Sequence, residues 1–547
     1  MFYVQVIWGK QLQSKALDQW TREIPIIAER GKIVDCNGVI LADNSDTYSV
    51  FVRKKAVSNV EKVADSLSGI LGLEYNAVFD RLTKTHSSEV TVKKQVNKDQ
   101  IDKIIKQRFS GVYYSRDNSR VYPYADFLSA VMGFTSVDGK GQSGLEQYYD
   151  KYLSGIDGEI LYETDIVGVE IDGSKASYIP ATDGLNLKLT IDYDIQALCE
   201  SAMNQAMQIH QPKSAQMLVI DPSCGAIRAL CIKPSYDLNN VPRDDLSLLY
   251  SLSRNNLVSD VYEPGSTFKV LTTAANVEEY LKGNNKAYPL NHRYSSSRYR
   301  YIGGQKVKCW STHENGKHAN LDLQGALNNS CNPIFVDIAN SLGKKTMYEY
   351  INAFNYGRVT GVDFSGEAQG MVLPESSVLD VDLARIAFGQ TIAVTGLQLA
   401  CATAAAINGG LYYTPYLVSE IYDNNGIIAQ KNKPTIKNRV ISSKASEIVN
   451  QLLEKVVSEG SGSQAYIEGY SVAGKTGTAQ KYQNGVIAQG KYVSSFVGYF
   501  PSQNPRYLAL VIIDEPVGQY YGSTVAAPYA KEVFEGIISL KKLKPTC

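Results

Sequence analysis

A serine and a lysine one helical turn apart, at the start of an apolar stretch, restrict the fold of this chain more than any other segment. Residues 263–269 read EPGSTFK, and the Pro-Gly pair before Ser266 is a helix-entry signal. Ser266 and Lys269 therefore lie on one face of the predicted helix. A serine becomes a good nucleophile when a base removes its proton, and a lysine is that base only if its pKa falls. The positive end of a helix and burial both lower a lysine pKa, so the motif predicts a nucleophile with its activating group.

Two further motifs follow the first in order. Ser-x-x-Lys occurs three times in the chain, so alone it is weak evidence and usually marks a solvated helix face. The copy at Ser266 is followed by Ser330-x-Asn332 and then by 475–478 (KTGT). This ordered trio is the signature of serine β-lactamases and penicillin-binding proteins. Together the motifs predict acyl transfer through Ser266.

Length and charge exclude several other classes. The chain has 547 residues, too many for one core, and predicts several domains or two large ones. Its 55 Lys and Arg balance its 55 Asp and Glu, whereas a nucleic-acid-binding protein would show a basic excess. Residues 1–9 (MFYVQVIWG) are apolar but too few to span a bilayer. They predict either the outer end of a membrane anchor or a short buried helix or strand.

Hydrophobic periodicity changes near residues 183–184, where we expect a domain boundary. A sheet built from early and late strands, with a helical middle, indicates an α+β fold. Helices are predicted at 61–71, 98–108, 194–209, 446–459 and 526–540. Strands are predicted at 187–191, at 216–221 and 227–232 as one hairpin, and at 494–500 and 507–514 as another beside a strand-like 470–473.

The motifs resemble those of class B penicillin-binding proteins, the monofunctional transpeptidases of peptidoglycan synthesis. Residues 30–38 (RGKIVDCNG) are similar to a family motif, with Cys36 where arginine is usual. Residues 144–146 (GLE), 262–266 (YEPGS) and 473–479 (AGKTGTA) also match, so the resemblance covers nearly the whole chain. Cys309-Trp310 before the second motif is similar to a sporulation-specific subgroup.

The resemblance implies an architecture. Residues 183–542 would form a transpeptidase domain of the serine β-lactamase-like type, an antiparallel sheet with a helical subdomain. Residues 25–182 would form an elongated N-terminal pedestal of the dimerisation type, and 1–24 the remnant of a membrane anchor. The catalytic domain would then lie outside the bacterial cell membrane, held by a single N-terminal anchor.

The resemblance also implies roles at the first two motifs. Ser266 would attack the carbonyl between the two terminal D-alanines of a stem peptide, and Lys269 would be its base. Ser330 would relay a proton to the leaving D-alanine. Asn332 would hold Lys269 and the substrate amide.

The third motif would bind substrate. Lys475 would add a positive field and help to bind the substrate carboxylate. Thr476 and Thr478, with Gly477 between them, would complete the binding set. The N–H groups of Ser266 and Thr478 would form the oxyanion hole.

Two alternative functions stay open from sequence. One is a β-lactamase or carboxypeptidase on the same fold, against which the long N-terminal part argues. The other is a non-catalytic penicillin sensor or a scaffold of a cell-wall synthesis complex. The implied partners are peptidoglycan stem peptides, β-lactam antibiotics and a glycosyltransferase of the wall-synthesis complex, and no cofactor is implied for the chemistry. The motifs are shared by division, elongation and sporulation enzymes.

A metal site is predicted beside the second motif. Two of the five histidines and two of the eight cysteines form the run Cys309-x3-His313-x4-His318-x12-Cys331. Two sulfur and two nitrogen ligands are the set that zinc prefers. We expect a structural, four-coordinate Zn²⁺ that braces the Ser330 loop. The alternative is a buried Cys331 with polar histidines on a loop.

Overall fold

The computed structural model describes residues 21–163, 178–316, 318–483 and 486–546. The apolar residues 1–9, predicted as the end of an anchor, lie outside this described part. No helix within it is both long and apolar enough to cross a membrane.

Strands and helices are numbered separately along the described chain. The strands are β1 Thr21–Ile26, β2 Ile33–Val34, β3 Ile40–Arg53, β4 Glu89–Val96, β5 Val112–Val121, β6 Gly158–Glu163, β7 Tyr178–Ile179, β8 Asn186–Leu189, β9 Ser214–Ile220, β10 Ile227–Lys233, β11 Val261–Tyr262, β12 Tyr299–Ile302, β13 Gln305–Lys308, β14 Val394–Thr395, β15 Leu411–Tyr413, β16 Val418–Tyr422, β17 Ile428–Lys431, β18 Ile436–Arg439, β19 Ala473–Gln483, β20 Val486–Phe500 and β21 Tyr507–Asp514.

The helices are α1 Val60–Leu71, α2 Tyr75–Lys84, α3 Lys98–Gln107, α4 Ser129–Met132, α5 Gly144–Tyr148, α6 Asp150–Leu153, α7 Tyr193–His210, α8 Leu246–Ser253, α9 Asn256–Ser259, α10 Lys269–Leu281, α11 Leu323–Asn328, α12 Asn332–Leu342, α13 Lys344–Ala353, α14 Asp380–Ile386, α15 Gly396–Ile407, α16 Ser443–Ser458, α17 Gly522–Val525 and α18 Ala527–Lys541.

A five-stranded antiparallel sheet, ordered β10-β9-β21-β20-β19, organises the C-terminal half. Alternate residues of β21 enter two different cores, because successive side chains of a strand point to opposite faces. Leu508 and Leu510 join the core shared with the helical middle, whereas Ala509 and Val511 join the core under α7 and α18. The sheet is therefore covered on both faces, as the uninterrupted apolar run of β21 requires.

The N-terminal half is built on the long strand β3, which pairs with both β4 and β5. Helices α1, α2 and α3 cover these strands with a small core of their own. Apolar residues about one helical turn apart explain the packing: Val63, Leu67 and Leu71, spaced by four, all lie on the buried face of α1.

The two halves share a sheet and several buried polar contacts. Strand β2 pairs in parallel with β8, which continues to β16 and β17. The Tyr149 hydroxyl donates to Asp363 Oδ2 at 2.8 Å, and that carboxylate also accepts from the N–H groups of Leu417 and Val418. Lys233 Nζ of the C-terminal half lies 3.2 Å from Asp126 Oδ2 of the N-terminal half. The predicted limits 25–182 and 183–542 stay predictions, because the shared sheet runs through the junction.

The α+β class is confirmed, and so is most of the element pattern. The 216–221 and 227–232 strands form the expected hairpin as β9 and β10, and 507–514 matches β21. The strand expected at 470–473 was wrong. It begins at Ala473 and runs to Gln483, so the Lys-Thr-Gly motif lies within a strand and not beside one. Gly474 and Gly477 weakened the strand pattern in that segment, since glycine is a poor strand former.

A buried ion-pair triad stabilises the N-terminal half. Two of its members, Arg30 and Glu146, belong to the segments 30–38 and 144–146 that resemble family motifs. Glu146 is fully buried. One of its carboxylate oxygens forms an ion pair with Arg30 Nε at 2.7 Å, and the other forms an ion pair with Arg120 Nε at 2.7 Å. Gly31 follows Arg30 at a point where a Cβ would stand 1.9 Å from the Leu185 oxygen. Only glycine lets the chain pass there, so the triad and the close approach together fix β2 against the C-terminal half.

We expect Glu146→Gln to lower the free energy of unfolding of the N-terminal half by about 3–5 kcal/mol, because the buried Arg120 guanidinium loses its counter-ion and Arg30 keeps only Asp150. Urea unfolding curves of the two proteins measure the change. The matched control is Asp46→Asn, which breaks the exposed pair with Arg116. It should change stability by less than about 0.5 kcal/mol. Equal effects of the two substitutions would contradict the role of the triad.

Candidate active site

The entry to α10 carries the first motif. Gly265–Phe268 form a 3₁₀ turn that leads directly into the helix, with Gly265 at φ +56°. The Gly265 N–H donates to the Gly389 oxygen at 2.9 Å, and a Cβ on Gly265 would lie 3.3 Å from the Thr478 oxygen. The turn therefore packs tightly against β19. It leaves Ser266 half-buried at the junction of helix and sheet.

Lys269 joins the first motif to the second. Its side chain is fully buried, and Nζ donates to the Ser330 oxygen at 2.7 Å, to Ser330 Oγ at 3.0 Å and to Asn332 Oδ1 at 2.7 Å. Burial lowers the pKa of Lys269 to about 8, although Cys309 and Cys331 act weakly in the opposite direction. A lysine in this position exchanges its proton near neutral pH.

The second motif is held in an unusual backbone shape. Ser330 has φ +50°, a left-handed conformation that a non-glycine residue adopts only when its surroundings hold it there. Trp310 Nε1 donates to the Ser330 oxygen at 3.1 Å, and Asn332 begins α12 directly afterwards. Both the lysine and the tryptophan therefore fix the Ser330 carbonyl.

The third motif lies on β19, the edge strand of the five-stranded sheet. Lys475 is fully buried, and Nζ donates to the Thr476 oxygen at 3.1 Å. Burial, and then the nearby charge of Lys269, lower the pKa of Lys475 well below its usual value. A Cβ on Gly477 would stand 3.1 Å from the Pro264 oxygen, so glycine lets β19 approach the helix entry this closely.

The three motifs meet at one place. Gly477 faces Thr267, whose Cγ2 would lie 3.0 Å from an added Cβ, and Thr478 Oγ1 accepts from the Gly522 N–H at 3.1 Å. Thr476 Oγ1 lies 3.4 Å from Ser461 Oγ. Every residue predicted for catalysis or substrate binding thus lies on the turn that leads into α10, on the Ser330 loop that leads into α12, at the first residue of either helix, or on β19.

The predicted zinc ligands also come together. The ligand atoms of Cys309, His313, His318 and Cys331 all lie within 4.8 Å of one another. Cys331 Sγ is 3.8 Å from His313 Nε2, and His313 Nδ1 is 2.8 Å from the Ser296 oxygen. The two imidazole rings stack at 4.2 Å between centroids.

The protonation of this cluster follows from its contacts. A hydrogen bond shared with Cys331 lowers the pKa of Cys309 to about 4 and raises that of Cys331. Burial lowers the pKa of His318 and so favours the neutral imidazole. His318 is 4% exposed, and its Nδ1 is buried without a hydrogen-bond partner in the described part of the chain.

Sequence reasoning missed two contributors to the site. Trp310 was noted only as a subgroup marker, yet it holds the Ser330 carbonyl. Glu263 was noted only as a motif letter, yet its Oε1 accepts from the Thr391 N–H at 2.8 Å. The rarity of tryptophan, with three in the chain, was the one available signal for Trp310. No sequence signal distinguished Glu263.

Comparison with known families agrees with this geometry. Residues 215–535 match the family model of the penicillin binding protein transpeptidase domain. Residues 25–189 match the model of the penicillin-binding protein dimerisation domain. A nucleophile turn, a lysine-holding loop and a binding strand on this fold define a serine acyl-transfer domain of the penicillin-binding type.

Curated relatives and solved structures cover almost the whole chain. Stage V sporulation protein D of Bacillus subtilis is 36% identical over 548 residues, covering 99% of this chain and 83% of the relative. The peptidoglycan D,D-transpeptidase FtsI of Escherichia coli is 26% identical, covering 99% and 89%. A solved peptidoglycan synthetase from Bifidobacterium adolescentis superposes with a TM-score of 0.77 at 25% identity, covering 96% and 98%. This chain belongs to the class B penicillin-binding proteins.

Proposed function

We propose that this protein is a peptidoglycan D,D-transpeptidase, which crosslinks stem peptides through an acyl-enzyme on Ser266. The observation that carries the proposal is the fully buried Lys269, held by Ser330 and Asn332 one turn from Ser266. Relatives named as D,D-transpeptidases support the reaction type.

The first half-reaction forms the acyl-enzyme. Lys269 in its neutral form takes the proton of Ser266 Oγ as that oxygen attacks the carbonyl between the two D-alanines. The N–H groups of Ser266 and Thr478 stabilise the resulting oxyanion, where one such donor typically contributes about 2.7–4 kcal/mol. The C–N bond then breaks, and Ser330 passes a proton to the leaving amine of D-alanine.

The substrate carboxylate binds to the third motif. Thr476 and Thr478 supply hydroxyl donors on β19, and Lys475 supplies charge. An arriving carboxylate offsets the desolvation of the Lys475 ammonium and so raises its pKa again. We therefore assign Lys475 as a cation in the substrate complex and Lys269 as the base.

The second half-reaction restores the enzyme. The amine of a neighbouring stem peptide attacks the ester carbonyl, Ser266 Oγ leaves and regains its proton, and a new peptide bond joins two strands. Crosslinking needs new glycan strands, so we assign a glycan-polymerising partner and a membrane-anchored position outside the bacterial membrane. The similarity to a stage V sporulation protein supports a role in sporulation.

We expect penicillin treatment to add one adduct to the native protein and none to Ser266→Ala, because the acyl group is carried by that oxygen. Intact-mass spectrometry measures the adduct. The matched control is Ser341→Ala, the serine of a second Ser-x-x-Lys sequence, whose hydroxyl donates to the Lys286 oxygen. The control should keep the adduct.

An assay with a supplied glycan strand distinguishes a transpeptidase from a carboxypeptidase and from a sensor or scaffold. Crosslinked product that disappears in Ser266→Ala supports the transpeptidase. D-alanine release without crosslinks would indicate a carboxypeptidase, and an adduct with neither product would indicate a sensor or scaffold.

We expect acylation by penicillin to increase with pH through an apparent pKa of about 8, because Lys269 accepts a proton only when neutral. Below that pH its Nζ is already protonated, and above it the rate reaches a plateau. Lys269→Arg should slow acylation by at least about 100-fold, since guanidinium stays charged.

Lys475→Arg distinguishes the two buried lysines. It should keep measurable acylation and the rising limb of the pH profile, displaced to lower pH because a permanent cation at 475 repels the proton at Lys269. A flat profile in this variant would assign the titration to Lys475 and contradict the predicted roles.

We further propose a structural zinc ion held by Cys309, His313, His318 and Cys331. Four ligands at zinc distances lie roughly 3.3–3.8 Å apart, so the observed cluster needs only a small contraction. The unpartnered buried Nδ1 of His318 and the Ser296 carbonyl that orients His313 both fit a metal site. Zinc supplies folding energy here, while the serine supplies the nucleophile.

We expect purified protein to contain close to one zinc per chain and a chelator to lower its Tm, because the ion ties the Ser330 loop to residues 309–318. Elemental analysis and thermal unfolding measure these two quantities. Cys309→Ser should lose the zinc and the chelator response. Cys224→Ser, a half-buried thiol outside the cluster, should keep both. Metal-free protein with a Tm unchanged by chelator would contradict the site.

A further inference from the structure

A cavity of about 800 Å³ continues the site beyond the third motif. Its walls include residues 479–481, which directly follow Thr478 on β19, and Glu263, three residues before Ser266. Thr391 and Met371 also line the cavity. A substrate chain that leaves the helix entry along the strand therefore enters this cavity.

The edge position of β19 gives the direction of that chain. β19 pairs with β20 on one side and with no other strand in the described part of the chain. An extended peptide can add to such an edge by main-chain hydrogen bonds. With its terminal carboxylate near Thr476 and its scissile carbonyl near Thr478, a donor stem peptide runs antiparallel to β19. At roughly 3.3 Å per residue, the residue before the two D-alanines reaches 480–481.

The chemistry of that residue follows from the reaction. The acceptor in crosslinking is an amine on a side chain of a stem peptide. Donor and acceptor strands are made from the same stem peptide, so the donor carries the same amine. A donor in the groove therefore brings a side-chain ammonium group into the cavity.

Glu263 offers this ammonium group a hydrogen-bond acceptor. Its Oε1 accepts from the Thr391 N–H, and its Oε2 is buried with no hydrogen-bond partner among the described residues. Burial raises the pKa of Glu263, with Arg385 as the opposing cation. The Arg385 guanidinium itself donates to Gln305 Oε1 at 3.0 Å.

The other charges on this wall already have partners. Lys481 Nζ lies 2.8 Å from Asp514 Oδ1 and 2.8 Å from Glu515 Oε1, and Lys491 Nζ lies 3.1 Å from Glu515 Oε2. The positive charges of these two lysines and the negative charges of these two carboxylates therefore sum to zero. Among the described residues that line the cavity, Glu263 Oε2 and the Tyr262 hydroxyl are the buried polar atoms without a hydrogen-bond partner, and only Glu263 can carry a negative charge.

We propose that Glu263 binds the side-chain ammonium of the residue that precedes the two D-alanines in the donor stem peptide, and so selects amine-bearing donors. The proposal rests on the transpeptidase function above. Glu263 positions the donor and takes no part in bond breaking. Charge-assisted hydrogen bonds on this scale correspond to a preference of about 10-fold to 100-fold.

The test compares two donors that differ in one group. One stem peptide ending in D-alanyl-D-alanine carries the free amine, and the other carries the same amine acetylated. Hydroxylamine is supplied to both as the acyl acceptor, so acetylation changes only the donor. The rate of D-alanine release at low donor concentration gives kcat/KM for each.

Native protein should prefer the free-amine donor by about 10-fold to 100-fold. Glu263→Gln keeps an acceptor for the Thr391 N–H but loses the charge, and its preference should fall to within about threefold. The far-UV circular dichroism spectrum and the Tm of this variant should stay close to those of the native protein, which shows that the variant is folded. Glu447→Gln, an exposed carboxylate paired with Lys444, is the matched control and should keep the native preference.

Several outcomes would overturn the proposal. Equal rates with the two donors on the native protein would do so without any variant, and so would an unchanged preference in Glu263→Gln. Native protein that is acylated by penicillin but releases D-alanine from neither donor would contradict the transpeptidase function itself, and the inference would fall with it.

Discussion

The buried ammonium group of Lys269 connects every part of the site. Its three hydrogen bonds reach the Ser330 oxygen, Ser330 Oγ and Asn332 Oδ1, more than sixty residues away in sequence. Moving a charged group out of water is costly unless hydrogen bonds replace its solvation. The Ser330 loop supplies these bonds, and it does so in a strained left-handed backbone conformation. Trp310 and the cysteine–histidine cluster beside the loop are the structural means by which this strain is held.

The sheet supplies the second constraint. β19 is an edge strand, so its outer main-chain groups are available to a substrate, yet it must also touch the helix entry. Gly477 against Pro264 and Thr267, and Gly265 against Thr478, allow this close contact, because a larger residue would separate the strand from Ser266. The same glycines that build the site weaken the local strand pattern. Function and local propensity conflict here, as they do at many active sites.

The sequence was sufficient where chemistry was concentrated in short motifs. The trio at Ser266, Ser330 and Lys475 predicted the acyl-transfer chemistry, the order of strands and helices predicted the α+β fold, and periodicity predicted the β9–β10 hairpin and β21 closely. The clustering of Cys309, His313, His318 and Cys331 was anticipated from spacing alone. Prediction from the sequence failed where the outcome depends on which distant segments of the chain come into contact. Nothing local shows that Glu263 lines a cavity with 479–481, or that Trp310 reaches the Ser330 carbonyl, because both depend on tertiary packing.

The two buried lysines, Lys269 and Lys475, both have lowered pKa values, so the charge of the site depends on their protonation. The charges that influence Lys269 are those of Cys309 and Cys331, and Lys475 is influenced by Lys269 itself. Neither pKa is supported by a carboxylate of the protein. An anion at the third motif therefore stabilises charge on Lys475, and a cation on Lys475 disfavours a second one on Lys269. The protonation states of Lys475 and Lys269 are thus coupled, because a proton on either lysine disfavours a proton on the other.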